Sequence, residues 1–128
     1  TIGYNISYGR PGATQEEIEE VAHLAQIHDF VKKLPKGYET QVGERGLKLS
    51  GGEKQRAAIA RSLINNPKII FDDEPTGNLD TKNSKILFDL FFKLRDDYNC
   101  SVIIVTHDEK SADICDRKLL IVDGKIKN

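Results

Sequence analysis

The chain of 128 residues has no Met and no Trp, only two Cys and four Pro, and no long apolar run. Each shortage excludes something. Cys100 and Cys115 form no C-x-x-C pattern, which argues against a disulfide framework or a zinc site and for a reducing compartment. The longest apolar stretches, residues 101–106 and 119–122, are strand-sized, far below the roughly 18 residues of a membrane span. The start, Thr1-Ile2-Gly3-Tyr4-Asn5, has neither the basic residues nor the apolar stretch of a signal peptide. Charge of one sign is also missing: 19 Lys plus Arg face 20 Asp plus Glu, a formal net charge of -1. That balance excludes a basic nucleic-acid footprint and an acidic disordered tail, so no nucleic-acid partner is expected. The absence of Met fits an excised piece of a longer chain, or a removed initiator.

What is present suits one domain of ordinary size, since apolar residues make up 38% and charged residues 30%. The first third reads as helical. Thr14-Gln15-Glu16-Glu17 is a capping box, followed by Ile18, Val21, Ala22, Ala25 and Phe30 on one helical face. Leu34-Pro35-Lys36-Gly37-Tyr38 breaks that helix. A glycine-rich loop, Val42-Gly43-Glu44-Arg45-Gly46, leads to Leu49-Ser50-Gly51-Gly52-Glu53, and residues 54–65 are an Ala-rich helix. In the second half, Lys68-Ile69-Ile70-Phe71 reads as a strand ending in acids. Residues 81–97 carry Ile86, Leu87, Leu90, Phe91 and Leu94 at helical spacing. Val102-Ile103-Ile104-Val105 reads as a buried strand, and residues 118–126 as a hairpin with a type I′ turn at Asp123-Gly124. Strand, helix, strand with apolar runs predicts a parallel α/β core.

Three segments carry chemistry. Ser50 with Glu53 is a helix start, which leaves two first-turn glycines unexplained. Glycines at a helix N-terminus also let the backbone approach an anion, where free N–H groups and the helix dipole favour phosphate. The acids Asp72-Asp73-Glu74 follow a buried strand, at the sheet edge where α/β proteins place ligands. One carboxylate there suits Mg²⁺ and the next suits a general base toward water attacking a phosphoryl group; capping the strand before Pro75 and Gly77 is the plainer reading. Thr106-His107-Asp108 ends the next strand at the same edge, where an imidazole can donate to a terminal phosphate. His23 and His28 are read as ordinary surface or core histidines.

Together these segments resemble the nucleotide-binding domain of ATP-binding-cassette (ABC) transporters. Leu49-Ser50-Gly51-Gly52-Glu53 looks like the family's signature loop and Ile69-Ile70-Phe71-Asp72-Asp73-Glu74 like its Walker B strand. Asn78-Leu79-Asp80 looks like the D-loop, and His107 like the switch histidine. Gly43-Glu44-Arg45-Gly46 is similar to the exporter loop that meets the transmembrane partner. The resemblance implies an α/β P-loop NTPase fold, present in part, with a helical subdomain and loop over residues 1–48. Signature helix, Walker B, D-loop, switch histidine and terminal hairpin would occupy 49–128. It implies ATP and Mg²⁺ as cofactors, ATP hydrolysis driving transport, a second nucleotide-binding domain as partner, and a position on the cytosolic or matrix side of a membrane. By role, Ser50, Gly51 and Gly52, with Glu53 beside them, would meet the γ-phosphate of an ATP held by the opposite subunit. Asp73 would hold Mg²⁺ through water, Glu74 would be the general base, His107 would clamp the γ-phosphate, and Asp80 would act across the dimer.

The sequence departs from the family in three ways. No G-x-x-x-x-G-K-[ST] occurs, so the phosphate loop (Walker A) and its Lys are missing, and the chain by itself is expected neither to hydrolyse ATP nor to complete its sheet. Asp72 stands where the family carries an apolar or small residue; strand alternation points it away from the face of Asp73, at a cost if it is buried without a partner. Residues 1–61 look like mitochondrial-type half-transporter exporters, whereas residues from 64 onward look like lipoprotein-release and macrolide-export ATPases. The alternatives are a catalytically silent scaffold fragment and a soluble ABC ATPase of DNA repair or chromosome maintenance. The latter's long coiled coils are absent from residues 1–48.

Overall fold

The structure, a computed structural model, describes residues 1–127. Helix α1 (Ile2–Ser7) is short and contains Gly3 and Asn5, so no helical period announces it in the sequence. Its N-terminal end is held twice. The Thr1 hydroxyl accepts from the Tyr4 N–H at 3.0 Å, and the Ile2 N–H donates to the Thr40 carbonyl at 3.1 Å. Ile2 and Ile6 are buried, which gives those caps a packed core to support.

Helix α2 (Gln15–Leu24) begins at the expected capping box: the Thr14 N–H donates to Glu17 at 2.8 Å and the Glu17 N–H to Thr14 Oγ1 at 3.2 Å. It ends earlier than the Leu34-Pro35 break suggests. Gln26 adopts φ +57°, with its N–H bonded to the His23 carbonyl and the Ile27 N–H to the Ala22 carbonyl, a Schellman closure without glycine. The buried Ile27 anchors this reversal. Phe30 therefore sits on a separate helix, α3 (His28–Lys32), still packed against the same core. There His28 Nδ1 lies 2.7 Å from the Tyr38 hydroxyl and its ring stacks on His23 with centroids 3.7 Å apart. Burial and the neighbouring His23 lower the His28 pKa, and burial pushes the Tyr38 phenol up to about 12.

Helix α4 (Gly51–Leu63) packs against α1 and α2 on one side and α5 (Thr81–Tyr98) on the other, so one core runs through the chain. Strands β1 (Ile69–Asp73) and β2 (Ser101–Val105) flank α5 and pair in parallel, a β-α-β unit as expected. After α6 (Glu109–Asp113), β3 (Leu120–Val122) and β4 (Lys125–Lys127) form the terminal hairpin. Positive φ at Asp123 (50°) and Gly124 (74°) gives the type I′ turn that Asp-Gly predicts.

β1 runs two residues beyond the apolar stretch, so Asp72 and Asp73 are strand residues that follow its alternation. Ile70 and Asp72 face the helices, while Ile69, Phe71 and Asp73 face outward, Phe71 at 74% exposure. The half-buried Asp72 is not orphaned: Gln55 Nε2 on α4 donates to its Oδ2 at 2.7 Å. Burial raises the Asp72 pKa, with the Gln55 bond opposing it.

Two stability outcomes follow from this packing. Leu90→Ala empties a fully buried position on α5 and should cost about 3 kcal/mol by urea denaturation. Asp72→Asn keeps an acceptor for Gln55 and removes the buried charge, so it should gain about 0.5 kcal/mol at pH 7. Because the folded Asp72 pKa is raised, that gain should vanish as the pH falls through the folded value, where the wild-type carboxyl takes up its proton; equal midpoints at pH 7 would contradict this.

Candidate functional site

The parallel register pairs Asp73 with Val105, so the chain leaves both strands at the same edge. Glu74 follows β1 in the left-handed region, φ +50°, a conformation uncommon for a residue other than glycine and concentrated at functional sites. Its N–H donates to the Val105 carbonyl at 2.7 Å. Its carboxylate is held by the loop after β2. Oε1 accepts from the His107 N–H at 2.8 Å and lies 2.6 Å from His107 Nδ1, and Oε2 accepts from Thr106 Oγ1 at 3.1 Å. The His107 bond is the main cause that lowers the Glu74 pKa below its ordinary 4.5. The pair thus holds an ionised carboxylate beside an imidazole that is 90% exposed and free to meet a ligand with its other nitrogen. Glu74 and His107 are brought together as their motifs suggest. Thr106 was part of that motif without a role, and its hydroxyl also accepts from the Asp108 N–H at 3.0 Å, which ties the loop to the start of α6.

Asp73, exposed on the outer face of β1, has no side-chain hydrogen-bond partner among the described residues. No three His, Cys, Asp or Glu side chains converge to hold a metal among the described residues. A single free carboxylate fits Mg²⁺, which keeps most of its waters and takes one or two protein carboxylates along with phosphate, and it does not fit a metal caged by protein alone.

The second cluster lies where α4 and α5 begin. Ser50 caps α4, with its hydroxyl donating to Glu53 Oε2 and accepting from the Glu53 N–H at 3.2 Å. Glu53 is therefore committed to the cap, and its contribution at this turn is to fix Ser50. The two glycines answer a steric demand as well. A Cβ at Gly51 would lie 2.9 Å from the Asn78 carbonyl, and one at Gly52 would lie 2.6 Å from Asn83 Oδ1. The first-turn backbone of α4 is thus pressed against the turn that starts α5. Asp80 caps α5, accepting from the Asn83 N–H at 2.7 Å, a bond that lowers its pKa. Sequence reading missed Asn83 and Gln55; the only signal for Asn83 is its position three residues after a capping Asp.

Gly43-Glu44-Arg45-Gly46 is an exposed loop closed by the Leu47 N–H donating to the Gln41 carbonyl at 2.8 Å. It borders an open cleft of about 650 Å³ floored by Ile2, Val42, Leu47, Leu49 and Ala57.

Residues 4–77 match the family model of ABC transporters. An ATM1-type heavy metal exporter of Novosphingobium aromaticivorans is 60% identical over 85 residues, covering 66% of this chain and 14% of its own length. Multidrug resistance protein homolog 65 of Drosophila melanogaster is 47% identical over 129 residues, covering 98% of this chain and 10% of its own. A solved bacterial Atm1-family ABC exporter with ATP bound superposes with a TM-score of 0.84 at 44% identity, over 100% of this chain and 22% of that one. The chain spans about a tenth to a fifth of the length of these relatives. Its helices and parallel strands are part of the α/β fold of the ABC ATP-binding domain, and by its sequence match and its superposition alike the chain belongs to the ABC transporter family.

Proposed function

We propose that the chain acts as the later part of an exporter's nucleotide-binding domain, in which ATP hydrolysis drives transport across a membrane. The observation that carries this reading is the Glu74 carboxylate, set at positive φ and gripped by Thr106 and His107 from the neighbouring strand. A carboxylate so fixed can orient a water and take its proton, and the exposed imidazole can donate toward a developing phosphoryl charge. Asp73 would hold Mg²⁺ through water, and that ion when bound neutralises phosphate charge. Ser50, Gly51 and Gly52 would meet the γ-phosphate of an ATP held by a second nucleotide-binding domain, with Glu53 fixing Ser50, and Asp80 would reach across that dimer.

The helical part, residues 1–48, would dock the transmembrane partner through Gly43, Glu44, Arg45 and Gly46, on the cytosolic or matrix side. No described helix is long and apolar enough to cross a membrane, which suits a domain that lies beside one. Since α4 packs on α1 and α2, the boundary near Lys48 would divide roles and not folding units. Near-complete alignment with a multidrug resistance protein favours the exporter branch over ATPases of DNA maintenance. With no phosphate loop in its sequence, the chain alone would not turn over ATP.

In the complete polypeptide that carries these residues, Glu74→Gln should lower ATP turnover by at least about 100-fold while nucleotide binding by filter retention is kept. Turnover close to wild type would remove Glu74 from the role of base. His107→Ala removes the bond that lowers the Glu74 pKa, so the Glu74 carboxyl should titrate nearer 4.5 by ¹³C NMR; the carboxylate, ionised down to a lower pH in the wild type, would take its proton at higher pH in the variant. An unmoved titration would place the cause elsewhere.

A further inference from the structure

The turns that open α4 and α5 are joined by one side chain that neither the signature nor the D-loop motif includes. Asn83 Nδ2 donates to Asp80 Oδ1 at 2.9 Å, and Asn83 Oδ1 accepts from Arg56 Nη1 of α4 at 3.4 Å. Only an amide supplies a donor and an acceptor on the two arms of one planar group, so the orientation of Asn83 is fixed by its partners. A carboxylate there would face Asp80 with like charge, and an apolar residue would release both sides. Arg56 reaches this position with its Nε buried and without a hydrogen-bond partner among the described residues, and its Nη1 would lie 3.2 Å from a Cβ at Gly52. Gly52 completes the fit, since any side chain there would meet Asn83 Oδ1 at 2.6 Å. Alongside, Gly51 lies flush against the Asn78 carbonyl.

We infer that Asn83 is a positioning residue that yokes the Ser50-Gly51-Gly52 turn to the Asn78-Leu79-Asp80 turn, so that both present themselves to a nucleotide-bound partner domain as one body. The inference rests on the proposed reading that these two turns face a second nucleotide-binding domain. A rigid pair needs no separate ordering of each turn when the partner arrives, so less of the contact energy is lost to immobilising them. Without the yoke each turn keeps its own cap, Ser50–Glu53 and Asp80 with the Asn83 N–H, and their relation is left to the apposition of Gly51 with the Asn78 carbonyl and the packing of α4 on α5. A merely local role for Asn83, as an ordinary third residue of α5, would leave α4 untouched.

The test uses Asn83→Ala, Gly52→Ala and the double variant in the complete polypeptide, with hydrogen exchange read first without nucleotide. Asn83→Ala should speed exchange about tenfold in the peptide spanning residues 50–54, although the change lies on α5. Gly52→Ala, by forcing Asn83 aside, should do the same over residues 78–84. The double variant should exchange no faster than the larger single, because the two changes break one contact. Acceleration confined to the turn that carries the change, or multiplied in the double variant, overturns the yoke and leaves the proposed function standing. ATP turnover of Asn83→Ala should then fall between about 10- and 100-fold in kcat with KM within about twofold, because its phosphate-binding residues are elsewhere. Cross-loosened exchange with unchanged kcat would instead overturn the reading of these turns as nucleotide-facing, and the positioning role with it.

Discussion

Ile69 pairs with Ser101 and Asp73 with Val105, and this single register decides where every acid and imidazole of the sheet edge emerges. A slip of one residue would exchange the faces of Asp72 and Asp73 and carry Glu74 away from Thr106 and His107. The register is held by ladder bonds within the strands and beyond them by the Ser101 N–H to Lys68 carbonyl bond at one end and the Glu74 N–H to Val105 carbonyl bond at the other. Behind it stands α5, whose Leu87, Leu90, Phe91 and Leu94 bury the inner face against α4. The apolar stripe of one helix and the pairing of two short strands together place a carboxylate within reach of an imidazole 33 residues away.

The same sheet shows what the fold leaves open. Parallel sheets are ordinarily covered on both faces, yet here helices cover one and the other carries Ile69, Phe71, Ile103 and Val105 at 46% exposure or more. The hairpin is also exposed along Leu120, Ile121 and Ile126. The chain spans only a fraction of its relatives' length, and this face of its parallel sheet is uncovered among the described residues.

What the sequence disclosed is what local chemistry controls. Thr14 with Glu17 and Ser50 with Glu53 are reciprocal caps within four residues, and Asp123-Gly124 is a turn within two; each formed as read. The alternation that sets Asp72 against Asp73 was legible for the same reason. Gln55, which partners Asp72 from 17 residues away, was not, because its role depends on which face of α4 meets the sheet. Helix α1 was hidden because its support is the distant Thr40 carbonyl and the burial of two isoleucines. The glycines of α4 show both sides: the sequence pointed to backbone approach by an anion, whereas the structure adds approach by Asn78 and Asn83. The end of α2 depended on a left-handed Gln26, a conformation that glutamine does not advertise.

Photolabelling tests the central claim most directly. The complete polypeptide is incubated with an ATP analogue bearing a photoreactive group on its γ-phosphate, and the labelled peptides are mapped by mass spectrometry. Label is expected on the peptide containing Ser50-Gly51-Gly52 and on that containing His107, lost on competition with ATP. Label that is displaced by ATP yet maps away from both peptides would contradict the assignment of these residues to the nucleotide.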